Sequence, residues 1–295
     1  MNLTNPPKNF SLLLFGCIAI GVMVTITFSA LLIAPYIDLI NSKGFDMLSL
    51  PRGKLISVQA IQMIGFFVLP PVLFALFSKN DFLSCFNLNK SFQLKKYLLA
   101  AAIALLLFPV LINIQYWFMS APIPESMKVA ADMQKALNEK IIGLFLNEPG
   151  LSNLFLMILI IGVGAGLTEE LFFRGLLMPW IERKTKSTWS AIIISGSIFS
   201  IFHANFYDFF PILFAGILFG YLYSKTLDLK LNIFIHALYN SAQVVLNYLN
   251  ENKYIEANLE EVKSIPILIW IICLSIVAFL IYKLVKDYEY LPHAS

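Results

Sequence analysis

Glu169, Glu170 and Arg174 stand inside an apolar run that extends from about Asn153 to Trp180. A charge at membrane depth costs roughly 2.5–3.5 kcal/mol on insertion scales, so such residues face a bundle interior, find partners and mark functional sites. On a helix Glu170 and Arg174 are four residues apart and share a face, where they can pair. Glu169 is turned by about 100° from Glu170 and cannot share the arginine equally. One carboxylate is then neutralised structurally and the other is left for chemistry. The alternatives are a purely structural ion-pair network and a charged patch that faces a water-filled cavity.

The chain holds three histidines. His293 is in the tail, whereas His203 and His236 both fall in apolar segments. Taken singly, each is as readily a packing or hydrogen-bonding residue as a catalyst. His236 has more to say because of its neighbours. Asn232, His236 and Asn240 recur at i, i+4 and i+8, and Gln243 and Asn247 continue the stripe. At the helical period all five fall within about 80° of one another. Such a stripe can also serve as interhelical hydrogen-bond glue.

Together these residues describe a water-activating site. A glutamate acts as general base towards water, and a histidine shares or relays the proton. A second histidine and an amide donate to a developing oxyanion. A different chemistry draws on the same residues, because Glu169, His203 and His236 make a candidate zinc set that leaves a fourth position for water. The chain contains no HExxH, so this would not be the usual zincin helix.

The elements that must carry these residues are membrane helices. Of the 295 residues 59% are hydrophobic and 13% charged, about half the charge of an ordinary soluble domain. A net charge of +3 does not suggest nucleic acid. Cys17, Cys85 and Cys273 are too scattered for a disulfide framework or a thiolate metal site. No transporter-like internal repeat is visible. The first apolar run is too long for a signal peptide core and reads as a first span. Spans of about 20 apolar residues are expected near 10–37, 55–77, 97–119, 151–181, 188–207, 209–225, 230–249 and 265–286, about eight in all. Only Asp208 divides the fifth from the short sixth. Pro70-Pro71 and Pro109 are expected to kink the second and third.

Lysine and arginine in the loops orient the chain with both termini inside. Lys8, Lys79, Lys90, Lys95, Lys96, Arg183, Lys184 and Lys186 fall on that side, and Lys263 and the acidic Glu251, Glu256, Glu260 and Glu261 on the other. In the long outer loop 120–150, Met133, Leu137, Ile141 and Leu144-Phe145 repeat at helical spacing, which predicts an amphipathic interfacial helix, either a connector or a lid. Gly162 and Gly166 form a GxxxG pair that lets a neighbouring backbone come close.

Glu169-Glu170-x-x-x-Arg174-Gly175, then Phe199-x-x-x-His203, then His236-x-x-x-Asn240 resembles the CAAX prenyl endopeptidase and bacteriocin-processing family of intramembrane proteases (CPBP, also called ABI). The resemblance covers about 151–250, and the amino-terminal spans are compatible with it. It implies an all-α polytopic membrane bundle with a buried protease site. Glu169 and His203 would activate water, His236 and Asn240 would stabilise the tetrahedral intermediate, and Glu170 and Arg174 would position the site. Zinc is the candidate cofactor. The expected partners are a peptide or protein substrate and the lipid bilayer, with no nucleic acid. The chain then divides into amino-terminal helices with the outer loop (1–150), a catalytic core (151–250) and a last helix with its tail (251–295), in an inner or plasma membrane with both termini cytoplasmic. A catalytically silent scaffold that regulates a partner and a proton-coupled transporter are the other readings.

Overall fold

The computed structural model describes residues 7, 9–44, 47–255 and 265–289, and among these it contains helices and no strand. Lys8, Glu256, Glu260, Glu261, Lys263 and His293 lie outside the described residues. The helices are α1 (Phe10–Ile33), α2 (Ile37–Ser42), α3 (Arg52–Gln62), α4 (Leu69–Phe77), α5 (Phe82–Cys85), α6 (Leu94–Met119) and α7 (Glu125–Leu146). The carboxyl-terminal half holds α8 (Leu151–Met157), α9 (Ala165–Glu170), α10 (Met178–Thr185), α11 (Thr188–Phe202), α12 (Phe209–Thr226), α13 (Leu229–Glu251) and α14 (Ile267–Glu289). Wider π-helical turns, Met63–Val68, Ile158–Gly164 and Leu171–Leu177, join α3 to α4, α8 to α9 and α9 to α10.

The protein is an all-α polytopic membrane bundle. Six helical rods are long and apolar enough to cross a bilayer: Phe10–Ser42, Arg52–Phe77, Leu94–Met119, Leu151–Thr185, Phe209–Thr226 and Ile267–Tyr288. Large apolar side chains on their outer faces, Leu12, Met23 and Phe28 on α1 or Leu268 and Phe279 on α14, are exposed, as a lipid-facing surface requires. The expected count of eight is not met by these criteria, and the two departures have different causes. At 15 residues α11 reaches only about 22 Å, short of the roughly 30 Å hydrocarbon core. With 23 residues α13 is long enough, but its polar stripe lowers its hydropathy. Both are elements of the site.

Local signals place the ends of these helices. Ser187 caps α11 by accepting from the Ser190 amide at 3.2 Å. Asp228 caps α13 by accepting from the Leu231 amide at 3.2 Å. Each side chain thereby answers an amide that the first helical turn leaves open. The fifth span, expected to run to residue 207, is shorter. Its helix α11 stops at Phe202, and residues 203–208 form a loop before α12. Ahead of Pro70-Pro71 the backbone opens into the Met63–Val68 π-turn, which suits a helix that loses a donor. Pro109 lies inside α6.

Glycines set how closely the helices meet. A Cβ on Gly166 would lie 2.7 Å from the Ala237 amide nitrogen, and one on Gly162 would lie 2.3 Å from Ser241 Oγ. The GxxxG pair therefore docks the Ile158–Gly164 turn and α9 against α13, where Ala237 and Ser241 each follow a polar residue of the stripe. A Cβ on Gly216 of α12 would meet Gly196 Cα of α11 at 3.0 Å. Two apolar cores flank the site. One gathers α1, α4, the Leu171–Leu177 turn and α11, and the other gathers α6, α12, α13 and α14.

The helix expected in the outer loop is α7, but its stripe divides. Phe145 is buried with Met157 and Val244, whereas Met133 and Leu137 face outwards at 70% and 49% exposure. The end of α7 is pinned by Arg52, which donates to the Leu144 carbonyl (3.0 Å) and the Phe145 carbonyl (2.8 Å) and pairs with Glu148 (2.8 Å).

Candidate active site

The site forms where α9, the Leu171–Leu177 turn, α11, α12 and α13 meet. Glu170 and Arg174 are fully buried there, and Arg174 Nη1 lies 2.8 Å from Glu170 Oε1. The pair forms although Arg174 lies in a π-turn and not in a regular α-helix. Arg174 Nη2 also donates to the Gly216 carbonyl at 3.0 Å. Its guanidinium lies 4.7 Å from the Phe199 ring and 5.5 Å from the Phe219 ring. Both separations are within cation–π range. Glu170 accepts from His236 Nδ1 (3.0 Å) and from Asn232 Nδ2 (3.3 Å). Asn232 Nδ2 also donates to the Phe219 carbonyl at 2.7 Å. Glu170 is therefore saturated, and its partners lie on two elements, the Leu171–Leu177 turn and α13.

Glu169 is placed differently. Its Oε2 is buried and makes no hydrogen bond to a described residue. His236 Nε2 lies 3.7 Å from it and His203 Nε2 4.0 Å. Both imidazoles are oriented from behind. His203 Nδ1 lies 2.8 Å from the Phe199 carbonyl. A carbonyl can only accept, so Nδ1 carries a proton. His236 Nδ1 likewise donates to the Glu170 carboxylate. Both Nε2 atoms are thus turned towards Glu169. Accessibility falls along the set, from 34% for the His203 side chain through 15% for Glu169 to 5% for His236. The site opens on the His203 side.

Direct contacts link Glu170, Arg174 and His236, and the two histidines bracket Glu169. Asn240 is not part of this contact set. It lies one turn beyond His236, half-buried, and its side chain makes no hydrogen bond to another described residue. Gln243 donates to the Tyr239 hydroxyl at 3.3 Å, further along the same helix.

Three features of the site go beyond the sequence reading. Asn232 is a partner of Glu170 as well as a member of the stripe, and its i−4 spacing from His236 is the signal for that contact. The Gly216 carbonyl is a backbone acceptor and leaves no trace in the sequence. The third is the support of the His203 loop by Gln115, Asp132 and Gln134, polar residues from elements distant in the chain.

Tetrahedral ligand atoms about 2.0–2.2 Å from zinc lie roughly 3.3–3.6 Å from one another, a little closer than the 3.7 and 4.0 Å separations around Glu169 Oε2. Among the described residues no group of three or more His, Cys, Asp or Glu is disposed to hold a metal ion.

Residues 151–242 match the family model for Rce1-like proteins, described as type II CAAX prenyl endopeptidase Rce1-like. The matched segment, less than half of the chain, contains Glu169, Glu170, Arg174, His203, His236 and Asn240 and is similar to the CAAX protease family over that stretch. The enzyme class that goes with that family is a protease, a hydrolase acting on protein in a membrane. No curated protein and no solved structure matches the chain.

Proposed function

We propose that this membrane protein, whose residues 151–242 carry the Rce1-like match, hydrolyses a peptide bond of a membrane-associated peptide or protein tail by means of Glu169-activated water. The observation that carries the reading is the contrast between the two adjacent carboxylates. Glu170 is fully engaged, whereas Glu169 has a buried oxygen without a hydrogen-bond partner among the described residues and two imidazole nitrogens facing it.

Separations of 3.7 and 4.0 Å exceed a direct hydrogen bond and suit one water between the groups. Glu169 takes a proton from that water while its oxygen attacks the scissile carbonyl carbon. His203, the most accessible member, faces the same water and shares the proton. When the carbon–nitrogen bond breaks, the proton passes to the leaving amine. A tetrahedral intermediate needs donors. His236 Nδ1 is already committed to Glu170, so His236 can donate to the oxyanion through Nε2 only as the imidazolium. Asn240, one turn on, supplies an amide N–H. Glu170, Arg174 and Asn232 hold His236 in this orientation.

The test is to present purified protein in micelles with a pool of quenched-fluorophore peptides, with and without prenylated carboxyl-terminal tails, and to identify fragments by mass spectrometry. New termini formed by wild type and lost in Glu169→Gln and His203→Ala support the reading. Equal fragment yields from all three proteins, or no fragments from any, would contradict it and leave the scaffold reading.

A further inference from the structure

His203 lies outside the regular helices, in the loop between Phe202 and Phe209. The next residue, Ala204, has φ +46°, a left-handed backbone that L side chains seldom adopt. Such a conformation persists only where its surroundings over-determine it. Here the surroundings are specific. Asp208 accepts from Asn205 Nδ2 through Oδ2 and from Gln115 Nε2 of α6 through Oδ1. Ser200 Oγ donates to the Phe209 carbonyl at 2.6 Å and draws the two ends of the loop together. From α7, Gln134 Oε1 accepts from the Phe206 amide at 2.9 Å and Asp132 Oδ1 accepts from the Tyr207 hydroxyl at 2.7 Å. Of these braces, Asp208 alone ties the turn internally and also anchors it to a membrane-spanning helix.

We propose that Asp208 is a positioning residue: anchored by Gln115 and holding Asn205, it fixes the turn at Ala204 and so the direction in which His203 Nε2 faces Glu169. The consequence for rate rests on the hydrolytic reading above, whereas the consequence for His203 geometry does not. The arrangement also gives a carboxylate next to the bilayer core a task that needs no chemistry of its own.

The test compares full-length wild type, Asp208→Asn, Gln115→Leu and the exchange Gln115→Glu/Asp208→Asn. The single amide at 208 meets two amide donors and can accept from them through only one oxygen, so a bond is lost. In the exchange the carboxylate stands at 115 and the amide at 208, and both hydrogen bonds can re-form. Imidazole 15N shifts report the His203 tautomer, hydrogen exchange reports the 203–208 amides, and the peptide pool described above reports turnover. Wild type should show His203 protonated at Nδ1. Asp208→Asn and Gln115→Leu should mix the tautomers, speed exchange at 203–208 about tenfold and lower kcat about tenfold with KM unchanged. The exchange should return all three readouts to within about threefold of wild type. An unchanged His203 tautomer and unchanged loop exchange in both single variants would overturn the proposal, as would an exchange variant no better than the singles. Should one single variant fail to fold, the other decides. If no protein cleaves the pool, the tautomer and exchange data still decide the positional claim, and the hydrolytic reading fails separately.

Discussion

Glu169 Oε2 lies 3.7 Å from His236 Nε2 and is nevertheless left without a hydrogen bond among the described residues, while one residue on Glu170 Oε1 receives both His236 Nδ1 and Arg174 Nη1. One imidazole thus joins the two carboxylates and separates their tasks. The buried ion pair costs desolvation, which is repaid only when every group is answered. Glu170 has its oxygens answered, Arg174 Nε finds no partner among the described residues, and Glu169 is kept apart from the pair.

Removing one partner of the buried pair should therefore be severe. Arg174→Ala strands Glu170 and should cost about 3–5 kcal/mol, the range for breaking a buried ion pair. Arg174→Lys keeps the charge but cannot serve Glu170 and the Gly216 carbonyl with one planar fork, and should lose less. Unfolding in micelles measures both, and equal stability of wild type and Arg174→Ala would contradict the assignment of Glu170 and Arg174 as the structural pair.

The glycine contact makes a prediction about register. A methyl group at Gly166 meets the α13 backbone at Ala237, which no rotamer change can relieve. Gly166→Ala should cost about 1–3 kcal/mol by overpacking and should also reduce turnover, because α13 carries His236 and Asn240. Gly53→Ala is the control, since a Cβ there meets nothing within 4 Å. Parallel melting curves and cleavage rates make the comparison.

The brace from α7 has a pH signature. The hydrogen bond to Asp132, with burial, pushes the Tyr207 hydroxyl up to about 12, from an ordinary 10.0. A group whose folded pKa is raised stabilises fully below its unfolded pKa and loses that contribution as pH rises through the folded value. The Tyr207–Asp132 increment should thus be constant up to about pH 10 and fade between about 10 and 12. Melting curves of wild type and Tyr207→Phe should differ by the same amount at pH 7 and 9 and converge above that window. A difference that changes between pH 7 and 9 would point to another group.

Much of this was legible in the chain, and for physical reasons. Charges in an apolar run are expensive enough to be conspicuous, so Glu169, Glu170 and Arg174 announced themselves, and helical period alone separated the two carboxylates. The stripe through Asn232, His236 and Asn240 was visible for the same reason. The position of His203 was not. Phe199–Asn205 is apolar enough to read as continuing helix, and the loop that ends α11 at Phe202 depends in part on tertiary contacts from Gln115, Asp132 and Gln134. The split of the α7 stripe was hidden too, because periodicity finds an apolar face without saying which part of it meets protein. The count of eight spans is not reached by length and composition because α11 is short and α13 carries a polar stripe.

Metal removal bears on the proposed chemistry independently. The proposed chemistry activates water through Glu169 and His203 without an obligatory metal, so turnover on the peptide pool should stay within about twofold after chelation and dialysis. Elemental analysis of the active protein should find no stoichiometric metal. Zinc present at one per chain, and lost together with activity, would contradict the water-only mechanism.

The central claim is that Glu169 is the base and Glu170 the scaffold. It is tested most directly by measuring kcat and thermal stability side by side for Glu169→Gln and Glu170→Gln. Loss of a positioned general base should lower kcat by about 10²–10⁴-fold, so Glu169→Gln should lose turnover at near wild-type stability. Glu170→Gln should instead melt markedly earlier. Wild-type turnover by Glu169→Gln, whatever its stability, would contradict the account.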